Sequence, residues 1–267
     1  INSNLSFSLI AGGSIGHAAG VVNAFAESGF DVKYFGTIKN RLIRKIDQIM
    51  ITRERWFCLP FDANQYIFTD DVVGQVEKHD INRCCFIYQR VNNFNFSGVE
   101  LSRKFNIPLI AEYNGSEVWI SQYWGGRIKY EGLARAVEES MLRHAHLVVT
   151  ISAVLRDELL SRGVEPDRIV LYPNCVDPAI FDPARFSHDQ TEAIRQRLRL
   201  PQDACVVMFI GTFGPWHGAE VLADALLTLV EHEQARIEAS NAVFVFVGAG
   251  ITMSKVQAML DRTSVER

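Results

Sequence analysis

The sequence has no run of about 18 consecutive apolar residues, the length an α-helix needs to cross a bilayer. It has no excess of positive charge either. Lys and Arg number 27 against 31 Asp and Glu, a net charge of −4, so there is no basic footprint for bulk nucleic-acid binding. It lacks a Cys-x-x-Cys pair. The five cysteines are an odd number, and Cys84, Cys85 and Cys205 fall within apolar runs. Reduced, buried thiols in a cytoplasmic protein are expected, not a disulfide framework or a zinc site. Low-complexity composition is also absent. With 48% apolar and 22% charged residues, disordered and collagen-like chains are excluded.

What is present is an alternation of apolar runs with amphipathic stretches. Strands are expected at Phe7–Ala11, Asp31–Gly36, Arg83–Gln89, Pro108–Tyr113, Leu147–Ser152 and Arg168–Asn174. Several are apolar on both faces, which predicts a parallel sheet covered on both sides by helices. One helix is expected over about residues 15–28. Another, over 131–145, should bury Leu133, Val137, Met141 and Leu142. A third opens at Ser152, turns Leu155, Leu159 and Leu160 inward, and closes at Gly163. Asp70, Asp71, Glu138 and Glu139 read as solvated charges.

After Asn174 the pattern changes. Residues 176–186 contain two Asp-Pro steps and no periodicity, so they read as a crossing segment. A new strand–helix–strand unit follows, with strands at Ala204–Gly211 and Ala242–Gly248 and a helix over about 219–233. A domain boundary near residue 185 is expected, giving domains 1–185 and 186–267. Two strands do not make a self-sufficient parallel sheet, so the second domain is expected to be incomplete. The first residue is Ile1, no signal peptide is visible, and the chain is expected to be a piece of a longer protein.

Candidate ligand positions cluster where strands end. In Ala11–Gly20 a glycine-rich turn opens a helix, whose N-terminal N–H groups can receive an anion. A tight turn without ligand is the alternative. Gly12, Gly13 and Gly16 do not space as G-x-G-x-x-G, and no acidic residue follows Phe35 and Gly36, so no dinucleotide cofactor is expected. Gly13 and His17 are the candidates of this turn. His17 could equally be a local hydrogen-bonding residue. Asn114, Gly115, Ser116 and Glu117 follow another strand, and Glu117 can accept sugar hydroxyls or bind a base, or else Asn-Gly forms a turn and Glu117 caps the next segment. Arg90 follows a third strand and would enter the same crevice or form a surface ion pair.

The segment Phe209–Leu222 combines strand, glycine turn and helix start. Gly211, Gly214 and Gly218 admit close backbone approach. Trp216 offers a flat face for a base or sugar, or packs, and His217 could donate to a phosphate. Gly250, ending the next strand, would let a nucleotide lie against backbone. His144 and His146, two apart on a helix, face apart and make no metal site.

In this order, these pieces resemble the family 4 glycosyltransferases. GGSIGHAAGVVNAF is similar to that family's Gly-Gly loop and first helix. AHLVVTISAVLRDELLSRGVEPDRIVLYPNCVDPAIFDP resembles its stretch ending in Pro-Asn-Gly-Val-Asp, with Cys175 here in place of Gly. GTFGPWHGAEVLADAL and FVFVGAG resemble the start of its donor-binding domain. The resemblance implies an α/β fold of GT-B type, with two Rossmann-like, doubly wound parallel-sheet domains. It also implies retaining, hexosyltransferase-like transfer from a nucleotide-sugar donor to a glycan or lipid-linked acceptor in glycan biosynthesis, without metal or cofactor. Gly13, His17, Arg90, Asn114 and Glu117 would then face the acceptor. Gly211, Thr212, Phe213, Trp216, His217, Gly218 and Gly250 would face the donor.

Three departures stand out. Thr212 and His217 occupy positions where many members carry Arg and Lys toward the diphosphate. Asn114 stands where many have His. The family's paired glutamates belong further downstream, so no catalytic residue is assigned and the chain alone is expected to be inactive. The rivals are a nucleotide-sugar epimerase or hydrolase of the same fold, and a non-catalytic partner subunit. The expected location is cytoplasmic, or the inner face of the membrane if the acceptor is lipid-linked.

Overall fold

The computed structural model describes residues 1–3, 12–124 and 126–261. The strand expected at Phe7–Ala11 lies outside them. The chain divides into two compact units, Ile1–Ile180 and Phe181–Arg267.

In the first unit, helix α1 (Gly13–Glu27) precedes strands β1 (Tyr34–Gly36) and β2 (Gln48–Met50), which pair in parallel. Helix α2 (Phe61–Val76) leads to β3 (Ile87–Arg90), α3 (Ser97–Phe105), β4 (Leu109–Tyr113), α4 (Glu117–Tyr123), α5 (Glu131–His144), β5 (Leu147–Thr150), α6 (Ala153–Ser161) and β6 (Ile169–Leu171). These four strands form one parallel sheet in the order β3-β4-β5-β6. Sequential strands lie side by side because each crossover carries a helix back over the sheet. Ile87, Leu109, Ala111, Tyr113 and Val148 of the strands pack with Leu101, Met141, Leu142 and Leu159 of the helices in one core.

Local signals fix several helix ends. Ser116 and Ser152 accept hydrogen bonds from the N–H groups of Trp119 and Leu155, capping α4 and α6. Asn106, at φ 54°, ends α3 in the left-handed conformation, and Gly163, at φ 83°, follows α6.

Several expectations need correction. Cys84 and Cys85 are exposed, not buried. A 3-10 turn at Ile81–Arg83 delays β3 to Ile87, leaving both cysteines in the approach to the strand. On α5 the inward stripe is Ala134, Val137, Glu138, Met141 and Leu142, with i, i+3, i+4, i+7, i+8 spacing. Leu133 sits one residue ahead of that stripe and is exposed. Leu160 is exposed for the same reason, one residue past buried Leu159. Glu138 and Asp71, read as solvated, are buried. Asp71 accepts from the backbone N–H groups of Glu54 and Arg55 and from the Arg55 Nε at 2.9 Å.

In the second unit, a capping box formed by Ser187 and Gln190 opens α7 (His188–Arg197), a helix the sequence analysis leaves unassigned. Strands β7 (Cys205–Thr212) and β8 (Ala242–Ala249) pair in parallel over their whole length. Between them runs α8 (Ala219–Ala239), kinked at Glu233, and after them comes α9 (Met253–Leu260). Phe213, Ala219, Ala223 and Val256 form the buried cluster. Cys205 is exposed at the start of β7, again contrary to expectation, because a two-stranded sheet leaves part of its strands uncovered. Among the described residues, no helix is long and apolar enough to cross a membrane.

Candidate functional site

A carboxylate in a strand buried on both faces must be paired or lose its charge. Glu112, in β4, is paired on every side. It is 3% exposed. Its Oε1 accepts from Asn114 Nδ2 at 2.6 Å and lies 3.4 Å from Arg90 Nη1 and 3.5 Å from His17 Nε2. Its Oε2 accepts from the Tyr88 hydroxyl at 3.0 Å. Burial alone would raise this carboxyl; the His17 hydrogen bond, the Arg90 and His17 charges and the Asn114 hydrogen bond outweigh it and hold it at about 2. Glu112 is therefore an anion that gathers three of the sequence-predicted residues, His17, Arg90 and Asn114, at the ends of α1, β3 and β4.

Sequence reasoning missed Glu112 itself. The signal was there: one charge inside the otherwise apolar run PLIAEY. Two neighbours retain unused capacity. His17 Nδ1 and Asn114 Oδ1 are buried without a hydrogen-bond partner among the described residues. Each is an atom that a ligand hydroxyl could satisfy.

Glu117 begins α4, and its backbone N–H donates to Glu138 Oε2 at 3.2 Å. Burial pushes its carboxyl up to about 7, with Arg90 opposing and Glu138 adding to the rise. Behind it, Arg162 reaches Glu138 Oε1 at 2.7 Å, Glu139 Oε1 at 2.5 Å and the Tyr113 hydroxyl at 3.0 Å. The Tyr113 hydroxyl in turn donates to Glu158 at 2.6 Å. This network holds α5 and α6 against the end of β4. Gly13, the first residue of α1, is exposed with open space where a Cβ would stand. Nothing around Gly13 among the described residues requires glycine.

The PNCVD stretch is anchored to α1. Asp177 accepts from Asn23 Nδ2 at 3.1 Å and from the Ala179 N–H at 3.0 Å, and it pairs with Arg44 Nη2 at 2.8 Å.

In the second unit, Thr212, Phe213, Trp216, His217 and Gly218 occupy the turn between β7 and α8. The Phe213 ring is 1% exposed within the core. Its position as a donor contact is corrected: the ring anchors the turn, and its backbone is occupied too. Phe213 N–H donates to Ala249 O at 3.0 Å, and Phe213 O accepts from Thr252 N–H at 2.9 Å. Gly250, at φ 156°, admits close approach, but what approaches is this same backbone; a Cβ there would stand 2.7 Å from Phe213 N. Gly218, at φ 70°, takes the left-handed conformation that opens α8. His217 Nδ1 is held by the Thr212 carbonyl, with the Thr212 hydroxyl at 3.1 Å. With Nδ1 engaged inside the turn, Nε2 is the ring nitrogen that can meet a ligand. Trp216 is partly exposed beside it, 5.5 Å from the His217 ring. Sequence reasoning also missed Lys255 of α9, whose Nζ lies 3.9 Å from Glu220 in the first turn of α8.

Among the described residues, no group of three His, Cys, Asp or Glu could hold a metal ion. His144 ends α5 and bonds the Ser102 hydroxyl at 3.0 Å, while His146 accepts from Leu109 N–H at 3.1 Å.

Known proteins resemble this chain in sequence and in fold. Over 135 residues the chain is 26% identical to an Escherichia coli (strain K12) protein described as a colanic acid biosynthesis glycosyl transferase, WcaI; the match covers 51% of this chain and 30% of that one. Anabaena Alr3699/HepE, solved in complex with UDP and glucose, superposes with a TM-score of 0.66 at 14% identity, covering 97% of this chain and 65% of that chain. UDP-GlcNAc 2-epimerase from Neisseria meningitidis, solved bound to UDP-GlcNAc, gives 0.60 at 12% identity, covering 96% and 68%. The two structural likenesses establish the fold, an α/β architecture of GT-B type. Residues 11–180 match the sequence profile of Glycosyltransferase Family 4, and the chain belongs to that family.

Proposed function

We propose that the protein to which this chain belongs transfers a sugar from a nucleotide-sugar donor to a glycan or lipid-linked acceptor, with retention of configuration; the chain spans 30% of the length of WcaI and 65% and 68% of the two solved chains. Unit Ile1–Ile180 serves the acceptor and unit Phe181–Arg267 the donor. The observation that carries this reading is the gathering of His17, Arg90 and Asn114 around ionised Glu112 at the carboxyl ends of β3 and β4, where open parallel sheets bind ligands. Glu117, with a carboxyl near 7, is present in both protonation states at neutral pH and can accept from an acceptor hydroxyl.

On the donor side, negative charge develops on the leaving diphosphate. The N–H groups opening α8 suit it, and Lys255 beside that turn supplies a cation where Thr212 supplies none. The test is turnover of a nucleotide-sugar panel by the full-length protein, with and without acceptor glycans. Transfer with retained anomeric configuration, read by NMR, is expected. Absence of turnover from every donor overturns the reading.

A second reading is epimerisation or hydrolysis of the nucleotide sugar, since the Neisseria epimerase shares the fold. Turnover without any acceptor would favour it. The Thr212 and His217 positions, short of the usual cations, leave a non-catalytic partner subunit as the outcome if nucleotide binds and nothing turns over.

A further inference from the structure

Three of the four tryptophans, Trp56, Trp119 and Trp124, fall in two short segments, 53–62 and 119–130. All three are exposed, and so are Phe57, Leu59, Phe61, Tyr123 and Tyr130 in the same segments. Trp119 lies 4.7 Å from Tyr123 and 4.8 Å from Trp124, ring centroid to centroid, and Trp56 lies 6.1 Å from Phe61.

The two segments make one surface. Asp62 accepts from the backbone N–H groups of Lys129 at 2.5 Å and Tyr130 at 3.2 Å, which joins the start of α2 to the loop after α4. Underneath, Val118 of α4 and Ala134 of α5 share a buried cluster against which Tyr66 of α2 and Ile128 pack. The outer faces of α4 and of the start of α2 therefore lie side by side.

This patch differs in charge from the rest of the molecule. The two segments hold Arg53, Arg55, Arg127 and Lys129 against Glu54 and Asp62; Arg55 is paired with Asp70 and Asp71 of α2, so Arg53, Arg127 and Lys129 give the patch its positive charge, on a chain whose net charge is −4. Asp62 is turned to backbone N–H groups, and the Arg53 guanidinium stacks 3.8 Å over the Trp56 ring. Exposed indole and phenol rings beside Arg and Lys suit a bilayer interface, where the ring body meets acyl chains and the polar edge meets headgroups. An anionic lipid surface attracts such a cluster of cations.

We propose that this aromatic, basic patch docks the first unit onto an anionic lipid surface. Helix α4 begins at Glu117, buries Val118, and turns Trp119 and Tyr123 outward. Docking would bring the lipid surface within one short helix of the Glu112 cluster. The docking does not depend on glycosyl transfer, and vesicle binding tests it separately.

The experiment uses the 267-residue chain with Trp216→Phe, so that the remaining indoles all report from the patch. Vesicles contain brominated phosphatidylcholine, either alone or with about 30 mol% phosphatidylglycerol as the anionic component. Quenching of tryptophan emission by the mixed vesicles, and much less by phosphatidylcholine alone, is expected. Arg127→Gln with Lys129→Gln should weaken partitioning about thirtyfold, at about fivefold per basic residue near an anionic surface. Tyr123→Ser with Trp56→Ser should weaken binding to both vesicle types. Circular dichroism confirms that each variant is folded.

Absence of quenching by folded protein overturns the proposal. So does equal binding of the neutralised variant. Two further outcomes also overturn it: light scattering that shows a dimer burying the rings, or emission that responds to soluble oligosaccharide and not to vesicles.

Discussion

Arg90 and Glu112 stand opposite one another in the register of β3 and β4, and their side chains meet at 3.4 Å where the two strands end. Parallel pairing aligns the residues, and burial makes the contact matter. Removing one partner of a buried pair leaves the other uncompensated. Glu112→Ala is expected to destabilise the protein by about 3–5 kcal/mol, and Glu112→Gln by less, because the amide keeps some hydrogen bonds. Urea unfolding measures both. The carboxyl sits at about 2 in the folded protein against an ordinary 4.5. Its contribution is therefore complete above about pH 4.5 and is lost as pH falls toward 2. An Ala variant with the wild-type midpoint at pH 7 would remove Glu112 as the anchor.

Glu117 behaves in the opposite sense. Its carboxyl rises to about 7 on folding, so between pH 4.5 and 7 the folded state binds more protons than the unfolded one. Stability from this group is present below pH 4.5 and declines as pH rises through 7. Glu117→Gln removes that decline and should gain roughly 1–3 kcal/mol over the wild type at pH 8, with little difference at pH 4.5. Thermal unfolding at the two pH values checks this; an equal gain at both would refute it.

Arg162 ties Glu138, Glu139 and Tyr113 together. Arg162→Met should cost about 2–4 kcal/mol at pH 7, because Glu138 is left buried and charged. The double variant Arg162→Met, Glu138→Gln should recover much of the loss at neutral pH. A double variant no more stable than Arg162→Met would assign the cost to lost packing alone.

Gly248 lies at φ 145°, and a Cβ there would stand 1.8 Å from the Gly211 carbonyl oxygen. Backbone cannot yield as a side-chain tip can. Gly248→Ala should destabilise the second unit by at least about 2 kcal/mol, from strained φ and overpacking together. Hydrogen exchange localises the effect: amides of β7 and β8 should lose protection, and those of β3 to β6 should keep it. Loss spread evenly over both units would contradict this.

Legibility in the sequence followed physical specificity. Strands β4, β5, β7 and β8 were readable because continuous apolar runs bounded by turns have few other meanings. Helix α6 was readable from Ser152 and Gly163, which have local reasons to sit at its ends. Helices α2, α3, α4 and α7 were not assigned. In the site, His17, Arg90 and Asn114 were legible from their places at strand and helix ends. Glu112, which holds them, was not, since a lone carboxylate in a strand shows its partners only after the strands pair.

By itself, the sequence determined the alternation of strand and helix, the glycine-rich turns and the family, because each rests on spacing within a few dozen residues. Tertiary structure alone decided which charges are buried. Glu138 and Asp71 read as solvated until α5 and α2 were packed, and Cys84 and Cys85 read as buried until a 3-10 turn displaced the start of β3. It also decided that Gly250 accommodates the Phe213 backbone and that two distant aromatic segments share one surface. Burial and charge pairing are set by residues far apart in the chain, and no local pattern carries that information.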